Sequence, residues 1–221
     1  MRLFDVLGPV MIGPSSSHTA GAVRIGLVAR KLLEDTPVHA EIDLHGSFAL
    51  TGQGHGTDRA LVAGLLGMKP DDPRIPDSFL CARESGLRFT FSTIRLRGAH
   101  PNTARIPLTG AQGKRLEIIA ESVGGGRIRV SAIDGIPTDF SGECNTLIIS
   151  NHDSPGHVAA VTDALAKRQI NIATMQLFRN PETGYAVMIL ECDQPIPEDI
   201  RDALAPIKGI VKITVFNQEG E

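Results

Sequence analysis

The N-terminal half of the chain shows first a helical and then an alternating spacing of apolar residues. A helix is predicted first, because small or apolar side chains recur every three or four residues from Ser17 onward. Its inward positions are Ala22, Ile25, Ala29 and Leu32. Residues 38–44 then alternate between apolar and polar side chains, which is typical of a half-buried strand. We therefore expect a helix that stops before Pro37 and a strand that follows it directly.

A second helix and a hairpin are predicted further along. Residues 58–66 have helical spacing, with Thr57 as a candidate N-cap and Gly67 as a stop signal. The strand-like runs 115–123 and 127–133 flank three consecutive glycines, which favours a β-hairpin. Because helices and strands mix in this part, we expect an α+β fold, with a mixed α/β domain over residues 1–140.

A second domain is expected over residues 144–221, after a stretch rich in Gly, Pro and acidic residues at 137–143. Its strands are predicted at 145–150, 170–178, 185–191 and 211–216, and its helices at 155–168 and 197–204. The inward residues of the first of these helices are expected to be Val158, Val161, Leu165 and Ala166. This order is βαββαβ, the ferredoxin-like arrangement.

Composition narrows the class of protein. The 221 residues carry a net charge of −3, with one Tyr and no Trp, which argues against a nucleic-acid-binding surface. No apolar run approaches the roughly 20 residues that span a bilayer, and no signal peptide is evident, so a cytoplasmic location without membrane contact is expected. Three cysteines, Cys81, Cys144 and Cys192, lie far apart beside or within strand-like segments, so we predict no disulfide framework and no metal site in this chain.

Two polar stretches carry the candidate chemistry. The serine motif, residues 13–21, and the histidine motif, residues 45–58, each combine hydroxyls, imidazoles and glycines just before a helical pattern. Each is interpreted as a loop that leads into a helix N-terminus, where unpaired N–H groups and the helix dipole favour an anion. Histidines add proton transfer near neutral pH. We therefore predict that the two motifs converge on a small carboxylate.

The turn at residues 151–157 contains an Asp-x-Pro-Gly sequence. With the βαββαβ order, it resembles the turn of an ACT domain, a small regulatory module of amino-acid metabolism. The resemblance implies that an effector amino acid would lie near Asp153, Gly156 and His157, and that the domain could form a homodimer. The alternative is that the domain only dimerises and that Asp153 caps its helix.

Four ordered motifs extend the resemblance to the whole chain. Gly-Pro-Ser-Ser-Ser-His-Thr, His-Gly-Ser, Gly-His-Gly-Thr-Asp and a later His-Pro-Asn-Thr at residues 100–103 are similar to the beta chain of iron–sulfur-dependent L-serine dehydratase. The resemblance implies a lyase that converts L-serine to pyruvate and ammonia without pyridoxal phosphate. It also implies a separate alpha chain that holds a [4Fe–4S] cluster, one iron of which acts as a Lewis acid on the substrate hydroxyl, and a beta chain that is inactive alone.

The resemblance assigns proton transfer or substrate orientation to His18 and His55. The sequence does not decide which of them is the base. Our hypothesis makes His55 the base and His18 a substrate ligand whose pKa the helix N-terminus lowers. The substrate-binding candidates are Ser15, Ser16, Ser17, Thr19, His45, Ser47 and Asn102.

Structural alternatives remain open for several of these residues. His18 or His55 could simply hydrogen-bond polar groups of its own loop. His45 could support the end of its strand, and residues 100–103 could be a tight turn. A different class of function is a stand-alone regulatory protein that binds an amino acid or another small anion. The first region is also similar to a small anion-binding domain of some phosphoglycerate dehydrogenases.

Overall fold

The structure, a computed structural model, describes residues 10–218, with the side chain of Gln53 left out. Two compact units follow each other along the chain, the first ending at Gly135 and the second beginning at Ile136. Within the described residues, no helix is both long enough and apolar enough to cross a membrane.

The helices of the first unit all lie before residue 86, and the rest of the unit is mostly strands. The helices are α1 (Gly21–Leu33), α2 (Ser47–His55), α3 (Thr57–Leu65) and α4 (Ser78–Ser85). The strands are β1 (Pro37–Leu44), β2 (Arg88–Thr93), β3 (Thr103–Gly110), β4 (Arg115–Gly124) and β5 (Arg127–Ile133). A π-helical turn, Ser16–Ala20, runs directly into α1, and a 3₁₀ turn, Ile75–Asp77, precedes α4.

The strands of this unit form a sheet in the order β2-β1-β3-β4-β5. β1 is parallel to β2, and the other neighbouring pairs are antiparallel. α1 covers one face by packing on β3, β4 and β5, and α3 packs on α1. The other face is polar. There Arg105 Nη1 lies 3.3 Å from Asp43 Oδ2, and Arg105 Nη2 lies 2.6 Å from Glu117 Oε2.

Most of the sequence-based expectations for this unit are confirmed. The strand at 38–44 is β1, with Ala40, Ile42 and Leu44 buried, and the hairpin around the glycines is β4–β5. The helix expected from Ser17 begins as the π-helical turn and then becomes α1. β2, β3 and α4 were not predicted. Residues 88–93 and 103–110 do alternate between apolar and other side chains, but both segments are short and Pro107 interrupts the second.

Two predictions about the histidine motif are wrong. Residues 47–55, expected as a loop, form α2, since the glycines at 52 and 54 are tolerated within a helix that packs against α3. Thr57 does not cap α3: Gly56 does, in a left-handed conformation with φ of 69°. The Thr57 side chain is fully buried, and within the described residues its hydroxyl has no hydrogen-bond partner.

The second unit has the predicted βαββαβ order, preceded by one more strand. Its elements are β6 (Ile136–Phe140), β7 (Asn145–His152), α5 (His157–Ala166), β8 (Ile172–Asn180), β9 (Tyr185–Cys192), α6 (Ile200–Leu204) and β10 (Ile210–Phe216). The sheet order is β10-β7-β9-β8, with antiparallel neighbours. β6 replaces residues 137–140 of the irregular stretch expected at 137–143, because Thr138 and Phe140 are buried in alternation with exposed residues.

The buried face of α5 differs from the predicted one. Val158 is 38% exposed and Ala166 is also exposed, whereas His157, Val161, Ala164 and Leu165 are buried. The helix begins two residues later than predicted, at His157, after Gly156 in a left-handed conformation with φ of 96°. The buried positions then follow the i, i+4, i+7, i+8 stripe of a helix that starts there.

Candidate functional site

The serine motif and the histidine motif meet at His18. Its Nε2 lies 3.1 Å from Ser47 Oγ and 3.1 Å from Thr51 Oγ1, both on α2. The centroids of the His18 and His55 rings are 5.1 Å apart, with the planes inclined at 44°. The prediction that the two motifs converge is confirmed.

Ser15 sets the geometry of the serine motif. Its backbone is extended, and its hydroxyl accepts a hydrogen bond from the His18 N–H at 3.2 Å, which makes it the N-cap of the π-helical turn. Gly13 packs so closely that a Cβ there would lie 2.5 Å from the Thr19 side chain, and its φ of 145° favours glycine. The motif is thereby folded back onto the first turn of the helix.

A chain of polar contacts runs through this turn. Ser15 Oγ lies 3.3 Å from Ser17 Oγ, which lies 3.1 Å from His18 Nδ1. The hydroxyl of Thr19, a buried residue, donates to the backbone oxygen of His55 at 3.3 Å. Ser15, Ser16, Ser17 and His18 are half-buried, so they are accessible in part. The turn thus carries several hydroxyls next to one imidazole and is tied to the end of α2.

His55 lies at the C-terminal end of α2, where Gly56 leads directly into α3. Its Nδ1 is 3.2 Å from the backbone oxygen of Thr51, and the side chain is exposed. Within the described residues, its Nε2 makes no hydrogen bond. His55 therefore has one ring nitrogen held by the helix and one turned to its surroundings.

The environment of His18 favours its neutral form. Burial is the main cause that lowers the pKa of His18, and the charge on His55 lowers it further, while a hydrogen bond with the Ser47 backbone acts in the opposite direction. The rings of His18 and Phe48 pack edge to face, with their centroids 5.3 Å apart. The predicted lowering is confirmed, but its main cause is burial rather than the helix dipole.

His45 contacts a different part of the chain. Its ring Nδ1 accepts a hydrogen bond from the Leu96 N–H at 3.2 Å and lies 3.2 Å from the backbone oxygen of Ile94. The backbone N–H of His45 donates to the backbone oxygen of Thr103 at 2.9 Å. These contacts hold the segment after β2 against the end of β1. The structure therefore places the ring of His45 against backbone, one residue before the turn that leads into α2.

The turn at residues 100–103 packs against the beginning of α2. Pro101 O accepts a hydrogen bond from Phe48 N at 3.3 Å, and a Cβ on Gly46 would lie 2.6 Å from that oxygen. Gly46 also has a φ of 56°, so both its conformation and its close packing require glycine. Asn102 is half-buried, and its backbone oxygen accepts from Ser122 N at 2.9 Å. All four motifs of the first unit therefore lie around α2.

The cysteines of this chain do not fit an iron–sulfur cluster. Cys81 lies in α4, not beside a strand as expected, while Cys144 precedes β7 and Cys192 ends β9. Burial raises the pKa of Cys144 and raises that of Cys192 to about 11, which disfavours the thiolates that ligate iron. Among residues 10–218, no three His, Cys, Asp or Glu side chains are grouped as metal ligands.

The Asp-x-Pro-Gly turn of the second unit is held by two separate contacts. Asp153 pairs with Arg179 at 2.7 Å and does not cap α5, so the capping alternative is wrong. His157 is 6% exposed; Asn151 Nδ2 donates to its Nδ1 at 3.2 Å, and its Nε2 donates to Lys208 O at 3.0 Å. His157 therefore anchors this turn internally, whereas Gly156 and Asp153 lie nearer the surface.

Sequence reasoning missed Thr51 and Phe48 as site residues. Thr51 contacts both histidines, and Phe48 packs on His18. The i, i+4 spacing of Ser47 and Thr51 would place their hydroxyls on one helix face. That signal was lost because the segment was interpreted as a loop.

Comparison with known proteins agrees with this architecture. Residues 3–82 match the family model described as serine dehydratase beta chain, and residues 145–209 match that of the ACT domain. The chain is 39% identical over 206 residues to the L-serine dehydratase beta chain of Peptoniphilus asaccharolyticus, covering 93% of each chain. It is 40% identical over 212 residues to the probable L-serine dehydratase beta chain of Bacillus subtilis, covering 96% of each.

A more distant relative matches only in part. The D-3-phosphoglycerate dehydrogenase of Methanocaldococcus jannaschii is 30% identical over 112 residues, which is 51% of this chain and 21% of that enzyme.

An α+β unit with two facing histidines, followed by a ferredoxin-like unit, defines a protein that carries a candidate small-molecule site and a C-terminal ACT domain. The near-complete alignments make the assignment specific. The chain belongs to the L-serine dehydratase beta chain family.

Proposed function

We propose that this chain is the beta subunit of an L-serine ammonia-lyase, which converts L-serine to pyruvate and ammonia together with an alpha chain. The observation that carries the proposal is the meeting of the serine and histidine motifs at His18, 3.1 Å from Ser47 and Thr51 and beside His55. Family membership supports the same reaction. In this proposal the [4Fe–4S] cluster belongs to the alpha chain, the enzyme needs no pyridoxal phosphate, and the beta chain alone is inactive.

The serine motif is proposed to bind the substrate carboxylate. Ser15, Ser16 and Ser17 stand at the start of a helix, where hydroxyls and unpaired backbone N–H groups favour an anion. Burial lowers the pKa of His18, which favours the neutral ring, and a neutral ring can act as a hydrogen-bonding ligand. Together these groups would fix the orientation of the amino acid. Thr19, His45, Ser47 and Asn102 keep supporting roles around this site in the proposal.

His55 is proposed to remove the Cα proton of L-serine. Its exposed ring holds Nδ1 against the Thr51 backbone oxygen, so Nε2 carries the lone pair that accepts the proton. Loss of that proton and of the hydroxyl group gives aminoacrylate and water. Aminoacrylate then tautomerises to an imine, which hydrolyses to pyruvate and ammonia. Departure of the hydroxyl group is not assigned to any residue of this chain.

The decisive experiment reconstitutes this chain anaerobically with a serine dehydratase alpha chain and measures pyruvate formed from L-serine. We expect activity only with both chains, and a loss of at least roughly 100-fold in kcat for His55→Ala, the range of general-base contributions. His18→Ala should also reduce turnover strongly. Neither change should alter the iron content of the complex. His39→Ala, on the polar face of β1, is the matched control and should leave the rate unchanged.

The regulatory alternative has one specific observation in its favour, the partial similarity to a phosphoglycerate dehydrogenase. Under that alternative the chain binds an amino acid or a small anion and the reconstituted pair does not deaminate serine. Binding of L-serine by the isolated chain, with no pyruvate formed by an iron-loaded pair, would favour it. A homodimer through the second unit, an effector near Asp153, Gly156 and His157, and a cytoplasmic location stay predictions.

A further inference from the structure

We infer that Thr51 is a positioning residue that holds the two site histidines in opposite tautomers, His55 protonated on Nδ1 and His18 protonated on Nε2. Thr51 reaches both rings from one position on α2, through its backbone oxygen to His55 and through its hydroxyl to His18. The consequence for catalysis rests on the proposed function, whereas the tautomers themselves do not.

The backbone oxygen of Thr51 determines the tautomer of His55. It lies 3.2 Å from Nδ1, and a carbonyl oxygen can only accept a hydrogen bond. Nδ1 therefore carries the hydrogen in the neutral ring. Nε2 then holds the lone pair, on an exposed side chain.

The hydroxyl of Thr51 determines the tautomer of His18. Its shortest contact is with Ser47 O at 2.9 Å, which can only accept, so we place its single hydrogen there and a lone pair towards His18 Nε2 at 3.1 Å. In this arrangement Nε2 is the donor, and Ser47 Oγ, also 3.1 Å from Nε2, is a second acceptor. His18 Nδ1 is left to accept a hydrogen bond from Ser17 Oγ at 3.1 Å.

These tautomers give the two rings different capacities. The lone pair of His18 is occupied by the Ser17 hydroxyl, so His18 is not free to accept a proton from substrate. The lone pair of His55 is available. Thr51 thereby leaves His55 as a proton acceptor and His18 as a hydrogen-bond donor, although the centroids of the two rings are only 5.1 Å apart.

The test is nitrogen NMR of the full-length chain with ¹⁵N-labelled histidine, at a pH where both rings are neutral. The signals of His18 and His55 are assigned from His18→Gln and His55→Gln. We expect each wild-type ring to show one dominant tautomer, and the two to be opposite. In Thr51→Val the His18 signals should shift towards an averaged tautomer while those of His55 stay in place, because the backbone oxygen is retained.

Two further variants control for a general effect on the helix. Thr51→Ser keeps the hydroxyl and should give the wild-type signals. Thr162→Val removes the same kind of bond, a threonine hydroxyl that donates to the backbone oxygen four residues earlier at 2.9 Å, but in α5. It should leave both histidines unchanged.

In the reconstituted enzyme, Thr51→Val should lower kcat/KM about threefold to tenfold, the cost of one hydrogen bond, and Thr51→Ser should restore it. Averaged tautomers in the wild-type chain, or His18 signals that do not move in Thr51→Val, would overturn the inference whatever the activity. If the tautomers are as expected and serine is not deaminated, the proposed function fails and the inference about Thr51 stands.

Discussion

Gly26 and Gly64 face each other where α1 crosses α3. A Cβ on Gly64 would lie 2.8 Å from the Gly26 Cα and 2.1 Å from the backbone oxygen of Val23. A Cβ on Gly26 would lie 2.4 Å from the backbone oxygen of Leu61. The two helices therefore approach at backbone distance. This contact fixes the serine motif, which leads into α1, against the α2–α3 junction that carries His55.

Gly64→Ala should destabilise the protein, although alanine usually favours a helix. The added methyl group meets backbone on α1, so the helices must separate, at a cost of about 1–3 kcal/mol in the free energy of unfolding. Urea unfolding followed by circular dichroism measures the effect in this tryptophan-free chain.

The matched control is Gly54→Ala in α2, where a Cβ meets nothing within 4 Å. This change should be neutral or stabilise by up to about 1 kcal/mol, because alanine restricts the unfolded chain. Equal destabilisation by both substitutions would contradict the close helix crossing.

Acid should weaken the contribution of His18 to stability. The pKa of His18 in the folded chain is lowered by burial and by the charge on His55, below the value of about 6.5 expected for the unfolded chain. The unfolded state therefore takes up the proton first as the pH falls. The contribution is fully present above pH of about 6.5 and is lost as the pH falls from there through the folded-state pKa.

Unfolding of the wild type and of His18→Gln at a series of pH values checks this sign. The stability advantage of the wild type should shrink on acidification. In addition, NMR titration should show a higher His18 pKa in His55→Gln, because the neighbouring charge has been removed. A difference that is constant or grows as the pH falls would rule out a lowered His18 pKa.

Gly46→Ala should disturb the histidine motif more than the rest of the fold. The residue has a φ of 56°, and a Cβ there would lie 2.6 Å from Pro101 O. The turn before α2 must then move, which displaces Ser47 from His18. We expect a loss of about 1–3 kcal/mol in stability and a lower kcat/KM for L-serine in the reconstituted enzyme. The control is Gly98→Ala. Gly98 also has a positive φ, of 76°, but a Cβ there would meet nothing within 4 Å, so this variant shows the effect of backbone strain without a steric clash.

His157→Leu should destabilise the second unit without any ligand. The buried ring bridges Asn151 and Lys208, and leucine would leave the Asn151 amide and the Lys208 carbonyl without this partner, at a cost of about 1–3 kcal/mol. Thermal unfolding measures the loss. Asp153→Asn is the comparison, because its pair with the exposed Arg179 should contribute at most about 1 kcal/mol. A His157→Leu variant as stable as the wild type would show that the ring does not anchor this turn.

The sequence by itself determined the βαββαβ order, β1, the β4–β5 hairpin and α1, because each has a clear apolar period bounded by Gly or Pro. It also indicated the serine and histidine motifs, since hydroxyls and imidazoles beside helix starts are visible as residue types. The same local rules failed for α2, whose glycines at 52 and 54 resemble a loop until α3 packs against them.

Only the tertiary structure decided which side chains share the site. His18 and Thr51 are 33 residues apart in the chain and 3.1 Å apart in space. That distance depends on the contact between Gly26 and Gly64 at the helix crossing and on the packing of Gly46 against Pro101. No local sequence pattern encodes such contacts. The tertiary structure also made His157 a buried anchor of its turn, whereas an effector near that turn stays a prediction. Periodicity shows that a helix has a buried face, but its exact starting residue decides which side chains that face contains.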